Sequence, residues 1–119
     1  MDEAEAAGLR FFFRIADRWN LTESEQLKIL GLEAKPELDA LRSNEAPQLA
    51  AGTLERVSYA LGIYKAINTL LPIPERADNW MRATNNAPTF AGMTPAARMA
   101  GGTIADLQAV RRYLEAQLV

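Results

Sequence analysis

The sequence predicts an all-α protein of six or seven helices. Apolar residues recur at helical spacing along almost the whole chain, and no stretch shows strand alternation. The interruptions carry residues that cap or break helices: Thr22, Gly31, Pro36, Thr53, Pro72, Pro74, Thr94-Pro95 and Gly101-Gly102. The chain has 119 residues, 49% of them hydrophobic, which is enough for one compact domain or two small ones sharing a core.

The first helix is expected over residues 9–19, with Leu9, Phe12, Phe13, Ala16 and Trp19 on one apolar face. Three consecutive phenylalanines cannot all face one core, so Phe11 is left near the surface. Arg10, Arg14 and Arg18 recur every four residues as a basic line, suited either to phosphates or to a solvated face. Thr22 and Glu25 have capping-box spacing, in which hydroxyl and carboxylate each accept from the other residue's backbone N–H. They start a second helix, which Gly31 ends. Pro36 suits the first turn of a third helix reaching Arg42, and residues 43–47 read as loop.

Thr53 is expected to cap the longest helix, through Leu71, with Leu54, Val57, Leu61, Tyr64, Ile67 and Leu71 inward. Gly62 inside it costs about 1 kcal/mol relative to alanine. That is either a tolerated defect or the mark of a close helix crossing. Pro72 stops this helix and Pro74 starts the next, over residues 74–83. Residues 84–92 hold too many turn formers for a helix yet include Phe90, so an ordered loop is expected. Thr94-Pro95 opens a short helix to about Ala100 and Gly101-Gly102 ends it. Thr103 with Asp106 caps a final helix through Leu118, whose inward stripe is Ile104, Leu107, Val110, Leu114 and Leu118.

The composition removes whole classes of chemistry. There is no Cys and no His, hence no disulfide, no thiolate or imidazole metal ligand, no cysteine nucleophile and no imidazole base. The paired carboxylates Glu23/Glu25 and Glu37/Asp39 are spaced to cap or decorate helices rather than to flank a bond. No cofactor, metal or catalytic residue is therefore expected, and the chain is not expected to be an enzyme. Formal charge is -2, so no global field draws it to nucleic acid. The charge is uneven: residues 1–50 hold six basic and ten acidic side chains, and residues 51–119 seven and five. Apolar runs fall short of the ~20 residues that span a bilayer, and the acidic start (Asp2, Glu3, Glu5) is unlike a signal peptide. A cytoplasmic protein with no membrane contact is the expectation.

Two constellations remain. The two short helices either side of Gly31 have the dimensions of a helix-turn-helix, and also of an ordinary packing pair. The second would carry Lys35 and Arg42 towards DNA, but with Glu37 and Asp39 beside them, and a carboxylate near phosphate is repulsive. The C-terminal segment combines bulky anchors with turn residues: Trp80, Asn85, Phe90, Gly92, Pro95, Met99 and Gly101. Its aromatics are expected in the core and Asn85 as a cap, with the loop itself as a binding surface.

From residues 9 to 118 the chain resembles the Xre/MbcA/ParS-like antitoxins. The resemblance rests on Leu54-Glu55-Arg56-Val57-Ser58 and Leu61-Gly62-Ile63-Tyr64-Lys65-Ala66-Ile67. It continues through Trp80, Asn85, the run from Phe90 to Pro95, Met99 and Gly101, and then Leu107, Val110, Arg111, Tyr113 and Leu114. Its hallmark is the order Trp, Asn, Phe-x-Gly-x-x-Pro. The resemblance implies a type II antitoxin with an Xre-like helix-turn-helix segment, residues 8–71, and a toxin-binding segment, residues 72–119. The implied partner is a RES-domain toxin that degrades NAD and is neutralised by covering its active site. The implied assembly is a homodimer or a toxin–antitoxin hetero-oligomer, with operator DNA as a further partner.

The toxin-binding residues implied are Trp80, Asn85, Phe90, Gly92, Pro95, Met99, Gly101 and Gly102, with Arg98 expected on the rim. Met99 is expected as an apolar anchor, so that Met99→Asp abolishes binding while the chain stays helical. Lys28, Lys35, Arg42 and Ser43 occupy the region of DNA contacts. Two positions depart from the family pattern: Thr84 replaces the usual Pro before the motif Asn, and Glu37 and Asp39 stand where a Tyr or Trp among basic residues is usual. A stand-alone helix-turn-helix transcriptional regulator is the alternative reading.

Overall fold

A computed structural model describes residues 1–46 and 48–119; Pro47, expected in the loop after the third helix, lies outside the described residues. Among the described residues there are seven helices and no strand. They are α1 Glu3–Arg18, α2 Glu23–Leu30, α3 Lys35–Arg42, α4 Ala51–Leu70, α5 Pro74–Arg82, α6 Pro95–Met99 and α7 Ile104–Gln117. Among the described residues no helix is long and apolar enough to cross a membrane.

Helix α1 begins nearly two turns earlier than periodicity indicated. Asp2 and Glu5 form a capping box: the Glu5 N–H donates to Asp2 Oδ1 at 2.8 Å and the Asp2 N–H to Glu5 Oε1 at 3.1 Å. The acidic start is thus a helix N-terminal signal, with Glu3 and Glu5 placed well for the helix dipole. Phe12, Phe13, Ala16 and Trp19 are buried as expected, while Phe11 is 42% exposed and lies edge-on to Tyr64. The capping boxes at Thr22 and Thr103 and the left-handed Gly31 (φ 72°) stand where the sequence placed them.

Helix α4 departs from expectation in two respects. Thr53 is not its cap, because the helix starts at Ala51 after Ala50, which provides no side-chain bond. The Thr53 hydroxyl instead donates to the Leu30 carbonyl at 3.1 Å, satisfying a carbonyl that the end of α2 leaves unpaired. Its buried stripe is Val57, Ala60, Ile63, Ala66 and Ile67; Leu54 is exposed, and Leu61, Tyr64 and Leu71 are only partly buried. The physical reason is that α4 runs through the middle of the molecule, packing on α7, α1, α2 and α5, and the small residues Ala60 and Ala66 let those neighbours approach. On α7, Leu107, Val110 and Leu114 are buried, but Ile104 is partly buried and Leu118, past the helix end, is exposed.

Gly62 marks a close approach. A Cβ there would lie 2.8 Å from the Arg111 guanidinium carbon, so the Arg111 side chain crosses α4 where glycine leaves room. Arg111 also sits over the Tyr59 ring, 5.6 Å from its centroid, and reaches Glu115 at 3.4 Å.

One continuous core runs through both halves, from Phe12, Trp19, Ile29 and Leu30 through Ile63 and Ile67 to Met81, Phe90, Met99, Leu107 and Leu114. Polar ties reinforce it. Arg82 on α5 makes a two-pronged contact with Glu25 on α2, at 2.9 and 3.1 Å, and Arg18 on α1 pairs with Asp78 on α5 at 2.9 Å. Arg56 on α4 donates to the Lys28 carbonyl at 3.0 Å and the Gly102 carbonyl at 3.1 Å.

Candidate protein-binding surface

The turn-rich segment between α5 and α6 folds back on itself through its own backbone. The Asn85 N–H donates to the Met93 carbonyl at 3.0 Å, and the Gly92 N–H to the Asn85 carbonyl at 2.8 Å. Asn85 Oδ1 accepts from the Ala87 N–H at 2.9 Å, an Asx turn that starts the loop. Phe90, Ala91 and Met93 donate to carbonyls inside the loop at 2.8–2.9 Å. Left-handed Ala91 (φ 49°) and Gly92 (φ 88°) then reverse the chain. The Ala91 conformation costs about 1 kcal/mol, which the closed hydrogen-bond set sustains.

The side chains pin this loop to the scaffold. Phe90 is fully buried and meets Tyr113 edge-on at 5.0 Å and Trp80 edge-on at 5.6 Å, while Trp80 stacks on Tyr113 at 6.3 Å. Arg98 Nε donates to the Thr89 carbonyl at 3.1 Å, and the same guanidinium pairs with Asp106. Asp106 caps α7, accepting from the Thr103 N–H at 3.0 Å and hydroxyl at 2.8 Å. Burial raises the Asp106 pKa, but the Thr103 hydrogen bonds and Arg98 outweigh it and hold the carboxyl below its ordinary value. A Cβ at Gly101 would fall 2.4 Å from Asp106 Oδ2, and Gly102 has φ 103°, so the α6–α7 turn is glycine-dependent at both positions.

The structure therefore sorts the expected toxin-binding residues into two groups. Phe90, Pro95 and Met99 lie in the core, Met99 at 1% exposure, so Met99→Asp is a folding change before it is a binding change. Trp80, Asn85, Arg98 and Gly102 are partly exposed, and Gly92 and Gly101 are exposed. Arg98, expected on the rim, is a strut that ties the loop to α7. Sequence reading did not single out Met93, 43% exposed at the loop's end, or Ile73, 47% exposed between α4 and α5. Met93 stands in the turn-rich run between Gly92 and Thr94-Pro95, where no helical period assigns it a face. Tyr113 sits one position before the buried Leu114, at the edge of a helical stripe, which hid its role as a wall for Trp80 and Phe90.

The residues expected to face DNA are distributed differently. Arg42 donates to Gln26 Oε1 at 2.7 Å and lies 4.5 Å from the Phe13 ring centroid, while Gln26, itself buried, donates to the Leu21 carbonyl at 3.0 Å. The Ser43 hydroxyl bonds back to the Asp39 carbonyl at 2.9 Å. Lys35 is exposed and 3.9 Å from Glu23, Lys28 is exposed, and Glu37 and Asp39 are exposed on α3. Among the described residues no group of His, Cys, Asp or Glu is arranged to hold a metal ion.

Comparison with known proteins places these features. A family model described as the antitoxin Xre/MbcA/ParS C-terminal toxin-binding domain matches residues 68–117, a span that begins at the end of α4 and includes the loop and α5 to α7. A Sinorhizobium fredii protein described as "Uncharacterized protein y4oB" is 40% identical over 111 residues, covering 93% of this chain and 84% of that protein. No solved structure matches the chain. With the closed Asn85 loop, its aromatic support and the glycine turn all falling inside it, the matched span of this chain, residues 68–117, is a C-terminal toxin-binding domain of the Xre/MbcA/ParS antitoxin family.

Proposed function

We propose that this chain is the antitoxin of a type II pair and neutralises a RES-domain, NAD-degrading toxin by covering its active site. The observation that carries this reading is the coincidence of the matched toxin-binding span with a loop that is already closed and pinned in the free chain. A preformed surface loses little conformational entropy on binding, so more of the contact energy appears as affinity.

In this reading residues 72–119 make the toxin contacts and residues 8–71 support them. A stable complex needs about 1,200 Å² of buried surface, or about 600 Å² from each partner. That is roughly a tenth of the 6526 Å² this chain exposes, within reach of the loop and its flanks. Met93 and Ile73 supply apolar anchors, with the open edge of Trp80, and Arg98 and Arg112 stand on the rim. The chain itself performs no catalysis, and its working state is a hetero-oligomer with the toxin. Operator reading has less support, because Arg42 is engaged within the fold and α3 presents Glu37 and Asp39.

The test is co-expression with a cognate RES-domain toxin. Wild type is expected to restore growth, preserve cellular NAD and co-purify with the toxin. Met93→Asp, at an exposed position, is expected to keep the fold and release the toxin. A toxin that still kills its host, with no recoverable complex with wild type, contradicts the reading.

A further inference from the structure

A groove of about 280 Å³ runs between the end of α4, α5 and α7, beside Trp80. Ile67 and Leu114 form its floor, and Leu70, Leu71, Trp80 and Tyr113 its walls. No charged side chain lines it, and one wall is the stacked Trp80–Tyr113 pair, whose planes are 17° apart. Small-molecule sites are larger, about 300–1,000 Å³, and carry converging polar groups. These dimensions and this lining fit one large apolar side chain.

We propose that the groove receives a leucine-, methionine- or phenylalanine-sized side chain projecting from the toxin. This rests on the reading of the chain as a toxin-binding antitoxin. All the groove's lining except Ile67 lies within the span that matches the toxin-binding domain, which makes the toxin the occupant rather than a second copy of this chain. Aromatic walls around a desolvated pocket are the usual setting of an energetic hot spot. Trp80 also connects the groove to the loop, because it stacks on Tyr113 and meets Phe90 edge-on. An inserted side chain packs against the same indole that supports Phe90, so groove and loop act as two contacts of one rigid surface.

The experiment labels the chain with 5-fluorotryptophan, giving one ¹⁹F resonance for Trp19 and one for Trp80. Trp19→Phe assigns them; Trp19 is fully buried with its indole N–H unpartnered, so that change removes no hydrogen bond. The label is titrated with a catalytically silenced cognate RES-domain toxin. The Trp80 resonance is expected to shift while that of Trp19 stays. Leu71→Glu, in the wall, is expected to weaken binding about 30-fold or more, the size of a hot-spot loss. Gln117→Arg, exposed at the mouth, is expected to weaken binding too, and decides the matter if Leu71→Glu does not fold. Unchanged affinity in the folded variants, with a complex that forms normally, overturns the groove and leaves the antitoxin reading standing. A Trp80 shift that follows the chain's own concentration without toxin identifies a second copy and also overturns it. Absence of any complex with wild type removes the antitoxin reading and the groove with it.

Discussion

Met93 and Met99 lie six residues apart and have opposite roles. Met99, at the end of α6, is inside the core, whereas Met93 emerges from the loop. Met99→Asp puts an uncompensated charge into apolar surroundings and is expected to lower stability by at least about 3 kcal/mol. In a thermal melt followed by circular dichroism, Tm should fall by more than about 10 °C; an unshifted melt would put Met99 at the surface. A second residue-scale prediction concerns Asp106, whose pKa is held below its ordinary value. A depressed carboxyl contributes stability that is complete above the unfolded pKa, about 3.9, and is lost as pH falls through the folded one. Asp106→Asn should therefore cost about 1 kcal/mol at neutral pH, the worth of a helix cap, and much less at pH values below the folded pKa. Urea midpoints at neutral and acid pH measure the difference. The Thr103/Asp106 cap was legible because both partners lie within one helical turn. The direction Met99 faces was not, because α6 has five residues and one turn shows no periodicity.

Helix α4 organises the elements, and Arg56 is its main polar tie. Its carbonyl acceptors on Lys28 and Gly102 lie 28 and 46 residues away in the chain, so no local pattern announces them. The same holds for Thr53, whose cap-like position suggested a local bond while its acceptor, Leu30, belongs to another helix. Caps that close on themselves, at Thr22 and Thr103, were read correctly for the opposite reason. The inward face of α4 was legible only in part, in Val57 and Ile67, because a helix surrounded by neighbours has no single apolar stripe, and the small residues Ala60 and Ala66 complete its contacts. Arg56→Met strips two carbonyl groups of a charged donor and is expected to destabilise the fold by about 2 kcal/mol. Arg56→Lys should recover less than half of that, since one ammonium nitrogen cannot reproduce two guanidinium nitrogens that each serve a separate carbonyl. Chemical denaturation of both variants checks the order; equal stability of Arg56→Met and wild type would contradict it.

At the scale of the whole molecule, two tasks assigned to two stretches of sequence share one folded body. The core passes without a break from Trp19 and Leu30 through Ile63 to Phe90 and Leu107, and the principal extents are 40 × 25 × 22 Å. Residues 72–119 lack the α4 wall against which α7 packs, and a segment below about 60 residues is marginal by itself. That segment alone is expected to show little helical signal, while the full chain unfolds in a single transition by far-ultraviolet circular dichroism and tryptophan fluorescence alike; two separated transitions would show independent halves. The helix order, the turn-rich loop and a core shared between the halves were readable from the sequence, and the polar ties across them were not, because Arg56, Arg82 and Arg18 meet partners distant in the chain. The proposed binding surface depends on that union, since the proposal requires a loop that is held before the toxin arrives. Amide hydrogen exchange on the free chain reads this directly. The N–H groups of Asn85, Gly92 and Met93, all hydrogen-bonded within the loop, should exchange nearly as slowly as those of α7 and change little when toxin is added. Fast exchange at these three amides in the free chain, slowed only in the complex, would show instead that the toxin shapes the loop.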